Sequence, residues 1–252
     1  MNYRQVTNTC LFNPLYIQYN EDIGRTEYFY YDLEYPIFYN VKNSYFQVNE
    51  TILNNLNNTI YSSVYTFKDG IFEEEEQINK LNPNQIKKKI NYQVYSDYDI
   101  TFNKNQILSL KLNLYANEGV NSIVYNDLYS YNIDLLTGKQ LLLKDIFREG
   151  VDYMKLINDY INYTIKQDPT SYYPDAVVEI PEDQAFYLTD TGIYIYFAID
   201  EVSPKEAGIA KFFIEFSKFE SYINPRFYCN VQNMESNAQR RRPYPQNPRY
   251  YY

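Results

Sequence analysis

Pairs of neighbouring acidic residues are the side chains in this sequence that could do chemistry by themselves. Two carboxyl groups a few ångströms apart are enough for glycoside hydrolysis, because one can donate a proton while the other acts as nucleophile or base. With 32 acidic residues in the chain, such pairs also arise by chance. We therefore predict that the chain is not an enzyme and has no catalytic residues, and we keep a carboxylate-based glycan hydrolase as an alternative. The candidate pairs are Asp97 with Asp99, Asp183 with Asp190, and Asp200 with Glu201.

The chain contains no histidine. This removes the commonest general base, the Ser-His-Asp triad, the Cys-His pair and every zinc site that uses a histidine ligand. The seven glycines form no phosphate-binding motif, so nucleotide binding has no support. We expect no cofactor and no metal.

Two cysteines, Cys10 and Cys229, lie near opposite ends of the sequence. Thiols so far apart in sequence are more often unpaired, although they could form a disulfide if the two ends of the folded chain meet. Without histidine they make a poor zinc site. We expect them to be unpaired.

The formal charge of −9 is unevenly distributed. Residues 239–252 contain four arginines and no acid, which leaves 32 acids against 19 bases, a net charge of −13, on residues 1–238. An acidic body argues against nucleic acid as a partner and favours a cationic protein or polymer. Acidic surfaces also serve solubility alone, and that alternative stays open.

The last residues, 239–252, have three prolines and no aliphatic side chain. Such a segment buries too little apolar surface to offset the entropy of ordering, so we predict a disordered tail with polyproline character. A cationic arm on an acidic body can dock to another copy or to an acidic neighbour; an inert extension is the alternative. With 32 tyrosines in the chain, oxidative crosslinking into a spore coat is a further possibility.

Hydrophobic periodicity predicts strands with a period of two and helices with a period near 3.6. In the first half, Pro36 indicates that its strand has an edge or an early end. The predicted elements are strands at 3–19 and 27–39 joined by a loop at 21–24, a helix at 46–65, a frayed helix or loop at 68–85, and an antiparallel pair at 90–102 and 108–114.

In the second half, apolar residues at odd positions from Ile123 to Leu135 predict a strand with one face against a core. Gly138 permits the turn that follows it. A short helix at 143–147 and a longer one at 152–166 come next. Strands are predicted at 185–189, 193–199 and 211–216, and the middle one is apolar on both faces and therefore central. Helices that interrupt antiparallel strands indicate an α+β fold.

Several of these segments resemble the tandem domains of the anti-sigma-V lysozyme sensor of Gram-positive bacteria, which also precede the catalytic domain of peptidoglycan deacetylase C. The resemblance implies an N-terminal α+β domain at 1–118, a C-terminal α+β domain at 119–222, and a Tyr/Arg/Pro-rich tail at 223–252. The matching segments are Ser130–Asp134, Thr137–Lys139, Leu143–Phe147, Gly150–Tyr153, Asp183–Ile193, Pro204, Ala207–Ile209, and in the first half Tyr35–Pro36 and Val48–Ile52.

In the resembling sensor these domains recognise lysozyme, a basic protein. The resemblance implies a non-enzymatic binding or assembly module whose partner is a basic protein such as lysozyme, with a spore-coat or envelope-associated protein as the alternative. Family members are extracytoplasmic. The sequence shows no signal peptide and no apolar run long enough to cross a bilayer, so we expect synthesis in the cytoplasm, with spore association as one destination. The sequence names no binding residues.

Overall fold

The computed structural model describes residues 10–80, 91–119 and 122–228. Its two sheets and four α-helices confirm the predicted α+β class; the strand order is β1-β2-β3-β4-β5 in one sheet and β6-β7-β8 in the other. The elements are β1 Leu15–Arg25, β2 Phe29–Asn40, α1 Glu50–Lys80, β3 Tyr92–Lys104, β4 Ile107–Glu118, β5 Ile123–Asp134, α2 Leu143–Ile146, α3 Tyr153–Gln167, β6 Phe186–Leu188, β7 Gly192–Tyr196, β8 Lys211–Glu215 and α4 Phe216–Phe219.

Helix α1 is much longer than predicted. Residues 68–80, expected to be frayed or a loop, continue the helix to Lys80. They stay helical because their apolar side chains pack on the first sheet: Ile71 is buried, and the Phe72 ring meets the Phe29 ring edge-on at 5.1 Å. Glu75, inside the acidic run, is also buried and accepts from Asn79. Residues 81–85 of this prediction lie outside the described residues.

The first sheet is mixed, whereas the sequence predicts antiparallel strands. Strands β2 and β3 pair in parallel from Phe29 opposite Tyr92 to Leu33 opposite Ser96. The reason is the crossover through α1, which returns the chain to the end of the sheet where β2 began. The predicted antiparallel pair, β3 with β4, is confirmed; its turn is formed by Asn105 and Gln106, both at positive φ.

The predicted loop at residues 21–24 is wrong, because these residues continue β1. Asp22 accepts a hydrogen bond from the Tyr65 hydroxyl at 2.6 Å, which ties this part of the strand to α1. At Gly24 the Tyr31 ring lies so close that a Cβ would stand 2.3 Å from it. The edge predicted at Pro36 is confirmed, since parallel pairing with β3 stops at Leu33 and Pro36 faces only β1.

Strand β5 pairs with β4 along most of its length, so the first sheet extends past the predicted boundary at 118/119. As the edge strand, it is only partly covered. Tyr131 and Ile133 are buried as expected, whereas Ile123 and Tyr129 are 56% and 44% exposed.

The second half forms its core between α3 and the three-stranded sheet, with β7 in the centre as predicted. Helix α3 begins at an Asp152 cap that accepts from the Lys155 amide, and α2 and the positive φ of Gly138 are likewise as predicted. Phe102 and Ile107 of the first sheet belong to this same core. The two sheets therefore share buried apolar residues.

A buried polar link also joins the two sheets. The Ser109 hydroxyl donates to Oδ1 of Asn132 at 2.7 Å and accepts from the Leu188 amide at 3.0 Å. Asn132 in turn donates to the Phe186 carbonyl at 2.7 Å. These bonds fix β6 against β4 and β5.

Cys10 is disulfide-bonded, so our expectation of unpaired thiols is wrong for this residue. The other cysteine of the sequence, Cys229, lies outside the described residues, as does the tail segment 239–252. Near Cys10, the Leu11 amide donates to Oδ1 of Asn105, whose Nδ2 donates to the Arg226 carbonyl, each at 3.1 Å. The two ends of the described chain therefore meet at the β3–β4 turn. None of the described helices has the length and apolarity that a membrane span requires.

Candidate binding face on the first sheet

The first sheet has one face against α1 and another that carries acidic and tyrosine side chains. Tyr31 and Leu33 of β2 point to the α1 side, where they join its core. The alternation of a strand places Tyr30, Asp32 and Glu34 on the opposite side. We call this surface the acidic tyrosine face; strand register places on it Tyr19, Glu21, Tyr30, Asp32, Glu34, Tyr95, Asp97 and Tyr115.

Three tyrosine rings form a row across β2, β3 and β4. The centroids of Tyr30 and Tyr95 are 5.9 Å apart. Tyr95 stacks on Tyr115 at 5.1 Å with an interplanar angle of 16°. Cross-strand aromatic pairs of this kind stabilise a sheet, and here they line this face of the first sheet with aromatic rings.

Three carboxylates gather beside this row. Glu21 of β1 stands directly opposite Glu34 of β2, and oxygen atoms of Glu21, Asp32 and Glu34 all lie within 4.8 Å of one another. Burial raises the pKa of Glu34, and the charges of Asp32, Glu21 and Asp97 raise it further, although a hydrogen bond from Tyr19 opposes them. Like charges opposite one another destabilise a sheet, so this grouping is costly to the fold by itself.

The neighbouring phenols stay protonated. The Tyr19 hydroxyl donates to Oε1 of Glu21 at 3.3 Å, and burial together with Glu34 and Glu21 raises its pKa. Burial and the charge of Asp32 likewise raise the pKa of Tyr30 and of Tyr95. The face thus combines carboxylates with neutral phenols.

This combination suits a cationic group. Carboxylates accept charge-assisted hydrogen bonds from guanidinium or ammonium groups, and tyrosine rings attract cations over their faces.

Two lysines lie where the acidic tyrosine face meets the second sheet. Lys111 pairs with Asp99 at 2.8 Å. Burial and the charge of Lys111 lower the pKa of Lys211 there, while Asp97 and Asp99 raise it.

The predicted pair Asp97 and Asp99 shares one face of β3, as expected. Asp97 accepts a hydrogen bond from the side-chain Nδ2 of Asn113, and Asp99 pairs with Lys111. Asp97 thus belongs to the acidic tyrosine face, and Asp99 lies at its border.

The other predicted carboxylates make contacts of a structural kind. Asp190 pairs with the buried Lys104 at 2.6 Å. Asp200 accepts from the Tyr173 hydroxyl, and Glu201 accepts from the Ala198 amide at 2.8 Å, closing a turn. Asp183 is exposed and lies in the segment that leads to β6.

Sequence reasoning missed the acidic tyrosine face because its residues come from four strands. Glu21 was assigned to a loop, and the parallel pairing that brings Asp32 beside Tyr95 was not predicted. One signal was present: from Tyr30 to Glu34, tyrosine and acid residues alternate with Tyr31 and Leu33. That period of two predicts a polar face opposite the core.

A groove separate from the acidic tyrosine face lies between α1 and β5. It is an open groove of about 450 Å³, and the hydrogen bond from the Tyr131 hydroxyl to Ser63 at 2.7 Å lies beside it. Its lining is polar and uncharged apart from two aromatic rings: Asn58, Thr59, Ser62, Ser63, Thr66, Phe67 and Tyr129.

Two protein families match the chain in succession. Residues 24–120 match the model described as deacetylase PdaC. Residues 144–217 match a protein family of unknown function, DUF3298. The first match covers β2 to β4 with α1 and most of the acidic tyrosine face, and the second covers the α3 and three-stranded sheet unit. No curated protein matches the chain.

Two solved structures share the fold. A DUF3298 family member from Bacteroides fragilis has a TM-score of 0.57 at 15% identity, covering 90% of this chain and 99% of its own. A DUF3298 family protein from Pseudomonas aeruginosa PAO1 has a TM-score of 0.53 at 11% identity, covering 86% of this chain and 97% of its own. At such identities the likeness establishes the fold alone.

Proposed function

We propose that this chain, which joins a PdaC-like region to a DUF3298-like region, is a non-enzymatic binding module that takes a basic protein on its acidic tyrosine face. The observation that carries the proposal is the grouping of Glu21, Asp32 and Glu34 within 4.8 Å. Carboxylates that repel one another in the free protein gain most when a partner supplies positive charge.

The charge of the chain supports the same partner class. Residues 1–238 carry a net charge of −13, which steers a basic protein toward the surface and accelerates its association. The Tyr30, Tyr95 and Tyr115 rings add contact area of the kind enriched where interfaces concentrate binding energy.

Lysozyme is the specific basic partner that we propose, because the resemblance of the tandem domains to the lysozyme sensor implies it. The absence of histidine from the sequence and the structural contacts of Asp190, Asp200 and Glu201 support a non-catalytic role. The matching family is described as deacetylase PdaC, but we do not propose deacetylase activity for this chain. We propose that it binds a partner only.

The test is titration of lysozyme into the full chain by calorimetry at low and at high salt. We expect saturable binding that weakens with salt, since screening shortens the reach of exposed charges. The triple variant Glu21→Gln, Asp32→Asn, Glu34→Gln should raise the dissociation constant by about tenfold or more, which corresponds to a loss of at least ~1.4 kcal/mol of binding free energy.

A matched control removes the same charge elsewhere. Glu149→Gln, Glu179→Gln, Glu206→Gln neutralises three exposed acids of the second half and should change the dissociation constant by less than about threefold. If both triple variants weaken binding equally, binding depends on net charge alone, and the proposal that the acidic tyrosine face is the binding site is wrong. Titration of cytochrome c, another basic protein, tests whether lysozyme is the specific partner. If cytochrome c binds as tightly as lysozyme, the proposal of lysozyme is wrong, and the proposal of a basic partner in general still holds.

A further inference from the structure

We propose that the groove between α1 and β5 binds a neutral oligosaccharide. The groove lies on the α1 side of the first sheet, whereas the acidic tyrosine face lies on the opposite side. This inference therefore does not rest on the proposed function, because it concerns a different surface and a different class of ligand.

The groove is uncharged, although the chain as a whole is acidic. No acidic or basic residue occurs from Thr51 to Phe67, and every side chain that lines the groove is neutral. The Tyr129 phenol keeps its proton, since burial and the charge of Asp127 raise its pKa. A charged ligand would gain no ion pair from this lining. The lining therefore favours a ligand without charge.

Two hydroxyl groups of the groove have one hydrogen-bonding role filled and the other left over. Ser63 accepts from the Tyr131 hydroxyl at 2.7 Å, which leaves its own proton to donate. Thr59 donates to the Asn55 carbonyl at 2.8 Å, which leaves its oxygen to accept. Sugar hydroxyls both donate and accept, so they match such groups in either role.

Three further polar side chains are available along the same helix face. In the part of the chain that the structure describes, the side chains of Asn58, Ser62 and Thr66 make no hydrogen bond. An amide offers two donors and an acceptor, and each hydroxyl offers a donor and an acceptor. A ligand with many hydroxyl groups can satisfy them together, as a single ion or an apolar molecule could not.

An aromatic ring completes the groove on its β5 side. Tyr129 is 44% exposed, and its ring lies among the lining residues. The face of an aromatic ring is electron-rich and apolar, so it suits the C–H groups on one face of a pyranose. From Asn58 to Phe67 the helix rises about 14 Å at ~1.5 Å per residue. This exceeds the length of one sugar ring, so an oligosaccharide fits better than a monosaccharide.

The helix face that lines the groove is costly to the helix. Eight of the thirteen residues from Asn54 to Thr66 are Asn, Ser or Thr, which form helices less well than Ala, Glu or Lys do. Exposed helix positions are ordinarily filled by strong helix formers, as they are from Glu73 to Gln77 of the same helix. The choice of side chains at the groove therefore indicates a role other than helix stability.

The test is an NMR titration of the full ¹⁵N-labelled chain with two neutral probes, cellohexaose and N-acetylchitohexaose. We expect at least one of them to shift the amide signals of residues 58–67 and Tyr129 in a saturable way. The dissociation constant should be the same at low and at high salt, because screening acts on charges. This salt response is opposite to the one expected for lysozyme, so the two proposals can fail separately.

Two variants remove the ligand contacts without removing packing. Tyr129→Ala should raise the dissociation constant at least about tenfold, through loss of the stacking ring. The double variant Ser62→Ala, Thr66→Ala should raise it about fivefold or more. Alanine is the better helix former, so this double variant should unfold at no lower temperature than the parent, and its weaker binding cannot come from a weaker fold.

Matched controls change similar side chains outside the groove. Tyr163→Ala on α3 removes a ring that is 64% exposed, and Gln77→Ala removes an exposed polar side chain farther along α1. Both should leave the dissociation constant within about twofold of the parent value.

Three results would overturn the proposal. One is the absence of saturable shifts with either neutral probe. Another is a set of shifts confined to the acidic tyrosine face. The third is tighter binding of the glucosamine hexamer, the cationic counterpart of N-acetylchitohexaose, because binding would then follow the negative charge of the chain and not the neutral lining of the groove.

Discussion

Nη1 of Arg226 lies 2.5 Å from Oδ2 of Asp134, and this ion pair joins the last described segment to the end of β5. The Asp134 side chain is only 11% exposed, and the Arg226 side chain is 31% exposed. The other oxygen of Asp134, Oδ1, accepts from the Leu136 and Thr137 amides at 2.9 and 3.3 Å. One carboxylate therefore shapes the turn after β5 and also holds the chain end against the first sheet.

Replacing Arg226 by Ala should destabilise the protein by about 2 kcal/mol, because a largely buried carboxylate would lose its charged partner. Urea denaturation followed by circular dichroism measures the loss. Lys155→Ala is the control, since both side chains of its ion pair with Asp159 are exposed, and its denaturation midpoint should match that of the parent. A midpoint for Arg226→Ala equal to the control would mean that the pair contributes no net stability.

The same pair predicts a dependence of stability on acid. Burial alone would raise the pKa of Asp134, but hydrogen bonds from Arg226 and from the Leu136 and Thr137 amides, with the charge of Arg226, lower it overall. Because the folded-state pKa is depressed, the stabilisation is present above the unfolded pKa near 3.9 and is lost as pH falls below it. Between pH 5 and 3, the parent should lose more stability than Arg226→Ala does. Parallel pH profiles would contradict this assignment.

How much the sequence could predict depended on whether the information was local. Helix α3 and the central β7 follow from their own periodicity and apolar faces. The second half of α1 was not predicted because the acidic run from Glu73 to Glu76 interrupts the apolar periodicity of the helix. Ile71 and Glu75 are buried because they pack against the first sheet, and the local sequence does not show this contact. The acidic tyrosine face was missed for a different reason: it requires the parallel register of β2 with β3, and no local pattern specifies which strands become neighbours.

Glu34→Gln should stabilise the folded chain at pH 7. Burial and the charges of Asp32, Glu21 and Asp97 raise the pKa of Glu34, so its ionised form is disfavoured in the folded state. A raised folded pKa means that stability is greatest below the unfolded pKa and falls as pH rises through the folded value. After allowance for solvent screening, the gain should be below about 1 kcal/mol. This gain in stability should vanish near pH 4, and thermal denaturation of both proteins at pH 7 and pH 4 measures it. If Glu34→Gln is less stable than the parent at pH 7, the carboxylate supports the fold and the prediction is wrong.

Asn57 of α1 supports β2 where the strand has lost its β3 partner. Its Oδ1 accepts from the Phe38 amide at 2.9 Å and its Nδ2 donates to the Phe38 carbonyl at 3.0 Å, as a neighbouring strand would. Asn57→Ala leaves both groups of the buried Phe38 without this partner and should cost about 2 kcal/mol. Asn57→Asp keeps the acceptor and loses the donor, so its cost at neutral pH should come mainly from the carbonyl. Hydrogen exchange of the Phe38 amide separates the two: it should accelerate strongly in Asn57→Ala and little in Asn57→Asp. Equal acceleration in both variants would indicate that α1 packing, and not this amide pair, protects β2.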